Sequence, residues 1–396
     1  MTAALSGFSL WSALHYLLTG GTLLAWLLGL GMLVQGRHHY KRLAEVSLPT
    51  AALQNLPRLS VLVPACNEAA TVERAMLSLL ALDYPALEII AVDDRSTDAT
   101  GAILDRLAAA NPRLRVIHIR QLPPGWLGKN HALQVAGEHA TGAWFLFTDA
   151  DVVFAPDALR RAVAYACTHD IDHLAVAPHC ETHGFWEKLF VSYFGLMFSF
   201  HVRPWDVPDP NKPAYAGFGA FNLVRAAAYR QFGGHRALPM EVADDMKLGK
   251  VIKRHGFRSA ILEGGEEISV RWVIGFRGVL DSLTKNAFAG FEYRLGPMLA
   301  SVAGLAVTGL YPAAALFLPP WPTRLLAAAT LLAMLFGAGL MRRLSGASAW
   351  YGLAYPLATL IFISIILRST WRAYRQNGIV WRGTLYPLEE LKKGVV

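Results

Sequence analysis

The feature that most constrains this chain is its alternation between long charge-free apolar segments and a charged middle. Met1–Gly36 contains no Asp, Glu, Lys or Arg, and its apolar run Leu14–Val34 is long enough to cross a bilayer. Three further apolar segments follow, at Pro297–Leu318, Leu325–Met341 and Tyr351–Leu367. Hydrophobic residues make up 54% of the 396 residues and charged residues only 17%. This pattern predicts a soluble domain held between membrane spans.

The same pattern divides the chain into four regions. We predict an N-terminal transmembrane anchor over residues 1–36 and a soluble domain with membrane-interface helices over residues 50–295. Three transmembrane segments over residues 296–368 and a basic tail over residues 369–396 complete the chain. The amphipathic stretches Phe185–Trp205 and Phe276–Phe291 are the predicted interface segments.

The charges beside the first apolar run indicate how the chain is oriented. The basic residues follow the run instead of preceding it, and they are Arg37, His38, His39, Lys41 and Arg42. That order is typical of an uncleaved anchor with its basic end inside, so we expect an integral membrane protein whose soluble domain faces the cytoplasm. The basic tail also favours the cytoplasm, whereas three spans after the domain would place it on the opposite face. The sequence leaves this topology open.

Net charge and cysteine content exclude some classes of protein. The charge of +8 is accounted for by Lys and Arg that flank the spans and meet anionic lipid. No basic stripe interleaved with aromatic residues is present, so we expect no nucleic-acid partner. The three cysteines have no metal-type spacing and are odd in number, which indicates a reducing compartment without a disulfide framework.

The middle region alternates strand-like and helical patterns. Four short aliphatic or aromatic runs read as buried strands, and they are Leu59–Pro64, Leu87–Val92, Arg115–Ile119 and Ala143–Thr148. Helical spacing between them predicts right-handed crossovers and a mostly parallel, Rossmann-like α/β sheet. Because ligands bind at the carboxyl ends of such strands, the acids that follow two of these runs, Asp93–Asp94 and Asp149–Asp151, are candidate site residues.

Asp149 and Asp151 flank one small residue at the end of a hydrophobic strand. Hard carboxylate oxygens at this spacing suit Mg²⁺ or Mn²⁺, which typically combine one or two protein carboxylates with substrate phosphates. An isolated D-x-D is usually a solvated turn. The position at a strand end, together with the second acidic pair, favours the metal interpretation here.

Three other features remain ambiguous when each is taken alone. Asp93 and Asp94 fit either contacts to a ribose or base, or a helix-entry turn. Lys129 offers a point charge to a diphosphate or is simply an exposed lysine, and the full phosphate-loop pattern around it is absent. Asp244 and Asp245 either stabilise a helix N-terminus or supply a general base.

Taken together, these features resemble the family 2 inverting glycosyltransferases with the GT-A fold, in the membrane-bound branch that includes ceramide glucosyltransferase-like and hopanoid-associated enzymes. The resemblance runs from about Leu59 to Tyr293. The stretches that carry it are Val63–Glu68, Val92–Asp98, Gly125–Lys129, Thr148–Asp151, Gly217–Arg225, Gly233–His235 and Asp244–Gly249. It implies a metal-dependent transfer of one sugar from a nucleotide sugar, expected to be UDP-linked, to a hydroxyl of a membrane lipid.

The resemblance also implies a role for each site residue. Pro64, Glu68 and Asp94, with Asp93 beside them, would line the base and ribose. Asp151, together with Asp149, would hold the metal, and Lys129 would lie near the same phosphates. Asp245 would be the catalytic base with Asp244 next to it. Gly217 and Gly219 would approach the donor sugar, where a Cβ would clash.

One departure from the family pattern bears on the product. Processive members carry Q-x-x-R-W, whereas Ile268 stands in place of the Gln before Arg271 and Trp272. This favours transfer of a single sugar over polymer synthesis. Arg271 would neutralise the leaving diphosphate and Trp272 would stack on the acceptor, or the pair simply anchors the membrane surface. A processive polysaccharide synthase and a non-enzymatic, nucleotide-sensing transporter or scaffold remain the alternatives.

Overall fold

The computed structural model of the chain describes residues 10–39, 41–46, 52 and 55–396. The first nine residues of the predicted anchor and the predicted domain start at residue 50 lie outside the described residues. The chain divides into two compact units. The sheet unit comprises Gly36–Glu181, Val202–Trp272 and Arg372–Val396, and the helical unit comprises Met1–Gln35, Thr182–His201 and Val273–Trp371.

The sheet unit is built on an eight-stranded sheet with the order β3-β2-β1-β4-β7-β6-β8-β5. Its strands are β1 Leu59–Ala65, β2 Leu87–Asp94, β3 Leu114–Ile119, β4 Trp144–Phe147, β5 Val153–Phe154, β6 His173–Cys180, β7 Asn222–Arg225 and β8 Ser259–Val270. Only β7 and β5 run antiparallel to their neighbours. The predicted mostly parallel α/β sheet is therefore confirmed, and the four predicted strands are its β1 to β4.

Both faces of this sheet are buried, which explains why its central strands are continuous apolar runs. Along β1, Val61 and Val63 pack into one core cluster and Leu62 into the other. The alternation follows from side chains that point to opposite faces of a strand. The helices that belong to this unit are Val72–Leu80, Thr100–Ala110, Gly128–His139, Ala158–Thr168, Ala226–Gln231, Asp244–Arg254 and Leu388–Lys393.

A separate two-stranded hairpin in the C-terminal segment also belongs to the sheet unit. Its strands are β9 Gly378–Trp381 and β10 Thr384–Pro387, which pair antiparallel. The segment predicted only as a basic tail is thus an ordered hairpin and helix that belong to the same unit as the sheet.

The helical unit contains helices suited to a bilayer. Among the described residues, four helical segments are long and apolar enough to cross a membrane, namely Leu10–Gly36, Leu295–Ala315, Trp321–Leu340 and Ala349–Arg375. Shorter helices lie at Gly184–Val202, Gly275–Ser282 and Arg342–Ser345. Large apolar side chains face outward, including Phe317 at 81% and Trp350 at 72% exposure. This surface indicates association with a membrane.

Polar contacts inside the helical unit hold its helices together. Trp26 Nε1 donates to the Thr308 carbonyl at 2.9 Å, and the hydroxyls of Ser192 and Tyr355 lie 2.8 Å apart. Such hydrogen bonds between helices stabilise their packing in a bilayer, where the hydrophobic effect does not drive helices together. Trp186 packs on Phe276 with ring centroids 4.8 Å apart, so the two predicted interface segments meet through aromatic rings.

Candidate active site

The carboxyl edge of the parallel strands brings the predicted acids together. Parallel pairing places Ala65 of β1 opposite Asp93 of β2, and Asp149 follows β4 directly. The Asp149 amide donates to the Gly219 carbonyl at 2.9 Å. The loop before β7 is thereby fixed against the D-x-D turn. One cavity at this edge is lined by six of the predicted site residues: Pro64, Lys129, Asp149, Gly219, Asp244 and Asp245.

The centre of this cavity is a lysine surrounded by three carboxylates, here termed the lysine cluster (Lys129, Asp149, Asp244, Asp245). Lys129 Nζ lies 2.9 Å from Asp149 Oδ1 and 3.3 Å from Asp244 Oδ2. Burial alone would lower the pKa of Lys129, but Asp149, Asp244 and Asp245 outweigh that effect and raise it. The ammonium group therefore stays charged at physiological pH.

Asp244 and Asp245 begin the helix Asp244–Arg254 but have different surroundings. Asp244 is 5% exposed, and burial, opposed by Lys129, raises its pKa to about 7. Asp245 is partly exposed, and its two carboxylate oxygens accept the amides of Gly219 and Met246, each at 2.8 Å. Those bonds fix the carboxylate while leaving it accessible, which is what a general base requires.

Glycine is needed at two positions beside these acids. A Cβ on Gly217 would collide with the main-chain carbonyl of Asp245, and one on Gly219 would collide with the carboxylate of Asp149. Gly217 and Gly219 therefore allow the loop to approach both acidic pairs. The clash predicted with a donor sugar is, in this structure, a clash with the acids themselves.

A buried relay of hydrogen bonds ends at the main-chain carbonyl of Asp245, and it was not predicted from the sequence. Ser259 Oγ lies 3.2 Å from His173 Nδ1, and His173 Nε2 lies 3.1 Å from Asn222 Oδ1. Asn222 Nδ2 donates to the Asp245 carbonyl at 3.3 Å. Burial lowers the pKa of His173 to about 4, so the ring is neutral and its Nε2 carries the proton that Asn222 accepts.

The residues predicted to hold a metal have a chemistry that fits a divalent cation. Burial, followed by the charges of Asp149 and Glu68, raises the pKa of Asp151 to about 7, and a cation beside these carboxylates would offset their charge. Within the described residues no three His, Cys, Asp or Glu side chains form a complete metal site. A cation at Asp149 and Asp151 would thus take further oxygens from a bound diphosphate, as Mg²⁺ commonly does.

A second group, here termed the arginine cluster (Glu68, Asp94, Arg95, Arg382), lies at the ends of β1 and β2. Arg95 binds Asp94 through two bonds, Nε to Oδ1 at 2.7 Å and Nη2 to Oδ2 at 3.0 Å. Arg382 of the C-terminal hairpin pairs with Glu68. Two of the predicted nucleotide residues, Glu68 and Asp94, therefore each hold a guanidinium group.

Three other predicted residues are not members of these clusters. Asp93 Oδ2 lies 2.9 Å from His118 Nδ1, and Asp93 Oδ1 accepts the Ser96 amide at 3.3 Å. This buried carboxylate thus orders the turn after β2. Arg271 and Trp272 follow the end of β8 and precede the helix Gly275–Ser282, so here they lie in a connecting segment and not on a helix.

The arrangement of this sheet and its acidic edge defines a GT-A type domain. A solved mannosyltransferase from Pyrobaculum calidifontis, PcManGT in complex with GDP-Man and Mn²⁺, matches 91% of this chain and 97% of its own length. The TM-score is 0.59 and the sequence identity is 22%, so the likeness concerns the fold. The GT-A fold predicted from the sequence is confirmed.

The family follows from sequence comparison. Residues 60–229 match the model described as Glycosyl transferase family 2. Over 197 residues the chain is 32% identical to Beta-monoglucosyldiacylglycerol synthase of Synechocystis, covering 47% of this chain and 40% of the relative. It is 33% identical over 99 residues to GalNAc(5)-diNAcBac-PP-undecaprenol beta-1,3-glucosyltransferase of Campylobacter jejuni, covering 24% and 30%.

Residues 60–229 therefore form a family 2 glycosyltransferase domain, and the family inferred from the motifs is confirmed. The chain spans less than half the length of the two curated relatives.

Proposed function

We propose that the protein transfers a single sugar from a nucleotide sugar to a hydroxyl of a membrane lipid, with inversion at the anomeric carbon. The observation that carries this proposal is the lysine cluster, in which one ammonium and three carboxylates meet at the carboxyl edge of a GT-A sheet. Four helices suited to a bilayer support a lipid as acceptor.

In this mechanism Asp245 is the general base. Its partly exposed carboxylate, fixed by two backbone amides, takes the proton of the acceptor hydroxyl. The hydroxyl oxygen then bonds to the anomeric carbon as the bond from that carbon to the diphosphate breaks. Lys129 stabilises the charge that develops on the departing diphosphate. One displacement completes the reaction, so the protein needs no covalent nucleophile.

A divalent cation, Mg²⁺ or Mn²⁺, bound by Asp151 with Asp149 would neutralise part of the diphosphate charge. Two observations support this: burial and the neighbouring carboxylates of Asp149 and Glu68 raise the pKa of Asp151, and Mn²⁺ is present with GDP-Man in the Pyrobaculum calidifontis structure. Titration of Mn²⁺ monitored by electron paramagnetic resonance should show weaker binding by Asp151→Asn, with UDP or GDP present. Equal binding by wild type and variant would place the metal elsewhere.

The relatives support a lipid acceptor. One is named as a synthase of a glucosyldiacylglycerol and the other as a glucosyltransferase acting on an undecaprenol-linked chain. We expect a UDP-linked donor. Because the solved neighbour contains GDP-Man, GDP-linked sugars should be tested beside UDP-linked sugars. Arg271 and Trp272 stay proposed contacts for the leaving diphosphate and the acceptor.

The test is incubation of the purified full chain with radiolabelled UDP- and GDP-sugars and total membrane lipid. We expect label in the organic phase, on a lipid bearing one added sugar by mass spectrometry. A ladder of products would indicate a polysaccharide synthase instead. Nucleotide binding without transfer or hydrolysis would indicate the non-enzymatic alternative.

We also propose that the sheet unit faces the cytoplasm, on the basis of the basic residues after the first span. The chain leaves this unit at Trp272 and returns to it at Arg372, so it crosses the membrane an even number of times in between. An even number means that at most two of the three later candidate helices cross. Reporters fused at the C-terminus and inserted after Arg120 should report the same side, and opposite sides would refute this topology.

A further inference from the structure

The C-terminal hairpin reaches the carboxyl edge of the sheet through its turn. Trp381 pairs with Thr384, so the loop consists of Arg382 and Gly383. Both have positive φ, 49° and 78°, which matches the two-residue turns favoured in hairpins. Arginine rarely adopts this conformation, and such backbone strain concentrates at functional sites.

The tip of the turn contacts the loop that follows β1. Arg382 pairs with Glu68, and its Nη1 donates to the Asn67 carbonyl at 3.4 Å. Glu68 Oε2 also accepts the Thr71 hydroxyl at 3.2 Å, so both oxygens of this carboxylate are oriented. Arg382 thus fixes a residue that the proposed function assigns to the nucleoside.

A second hairpin residue contacts the other side of the same region. The hydroxyl of Tyr386, which is 6% exposed, accepts the Gly128 amide at 3.2 Å. Gly128 begins the helix Gly128–His139 and directly precedes Lys129 of the lysine cluster. Arg95 also reaches the hairpin, with Nη1 3.5 Å from the Thr384 hydroxyl. The hairpin therefore touches the residues on both sides of the proposed donor site.

We propose that the hairpin Gly378–Pro387 is part of the donor site, with Arg382 binding the nucleoside diphosphate of the donor. This inference rests on the proposed function. A guanidinium has five N–H donors, and the two contacts above use two of them. Its side chain is 42% exposed, so further donors are accessible to a phosphate or a base carbonyl. Tyr386 is a positioning residue, because it acts through Gly128.

Binding of UDP and of GDP to the full chain in detergent, measured by calorimetry, tests this proposal. Arg382→Gln should raise the Kd of the tighter nucleotide at least about tenfold, since a charge-assisted contact is lost. Tyr386→Phe should raise it about threefold, as expected for one neutral hydrogen bond. Lys392→Gln removes a charge from an exposed residue of the same tail and should leave the Kd unchanged.

Unchanged or tighter binding by Arg382→Gln would overturn the proposal, and tighter binding would identify the ion pair with Glu68 as autoinhibitory. Should that variant not fold, hydrogen–deuterium exchange on the wild-type chain decides. Saturating UDP or GDP should slow exchange of the amides in residues 378–387, and unchanged exchange would refute the contact.

The same data separate this inference from the proposed function. If the wild type transfers sugar while Arg382→Gln binds nucleotide normally, only the role of the hairpin fails. If the wild type binds neither UDP nor GDP, both fail.

Discussion

The lysine cluster and the arginine cluster lie at the same edge of the sheet but differ in charge balance. In the lysine cluster one ammonium faces three carboxylates. In the arginine cluster two guanidinium groups face two carboxylates, joined in pairs. The first has excess negative charge, which suits a cation and proton abstraction. The second is neutral, which suits orientation of a ligand. We infer that the lysine cluster performs the chemistry and the arginine cluster binds the nucleoside.

The largest effect should come from the centre of the lysine cluster. Lys129→Gln should lower kcat for sugar transfer by about 10²- to 10³-fold, because it removes the positive charge that is positioned to stabilise the departing diphosphate. The donor KM should change far less. Steady-state kinetics measure both constants, and Lys212→Gln, at an exposed loop lysine, should behave as wild type. A large rise in KM with normal kcat would reverse the roles of the two clusters.

Glu68 provides the reciprocal test in the arginine cluster. Glu68→Gln should raise the donor KM about tenfold and leave kcat within about twofold, because the lost interaction contributes equally to ground state and transition state. Glu73→Gln, which removes an exposed carboxylate 2.8 Å from Arg106, is the matched control. Equal losses in kcat and kcat/KM would instead place Glu68 among the groups that act in the transition state.

A smaller effect is expected on the stability of the fold at acid pH. It tests the buried relay of Ser259, His173 and Asn222, and not the exposed acids of the site. The pKa of His173 is lowered to about 4 by burial, so the unfolded chain binds more protons than the folded chain between about pH 6.5 and 4. Stability from this group is therefore present above pH 6.5 and is lost as pH falls, by up to about 3 kcal/mol. The melting temperature of His173→Gln should depend less steeply on pH over that window. An unchanged slope would show that His173 does not limit acid stability.

The sequence predicted the lysine cluster better than the arginine cluster, for a physical reason. Lys129 and Asp149 of this cluster follow local patterns, since buried runs such as Leu59–Pro64 leave little choice but parallel strands. Parallel strands then place their carboxyl ends at one edge. Local pattern and long-range pairing agree in this part of the chain.

The arginine cluster depends on residues distant in sequence. Arg382 lies 314 positions after Glu68, and its hairpin strands have only four residues each. The available signal was Arg382-Gly383 between two short apolar runs, which is weak for a hairpin. The relay from Ser259 through His173 to Asn222 was equally hidden, because three separate strands supply it.

The central claim is that Asp245 is the base for sugar transfer. The most direct measurement is single-turnover transfer from a radiolabelled nucleotide sugar to lipid by wild type, Asp245→Asn and the exposed control Asp157→Asn. The variant Asp245→Asn should lose about 10²- to 10⁴-fold in rate while its Kd for UDP or GDP stays within about threefold of wild type. Asp157→Asn should match wild type. Full transfer by a folded Asp245→Asn would contradict the assignment.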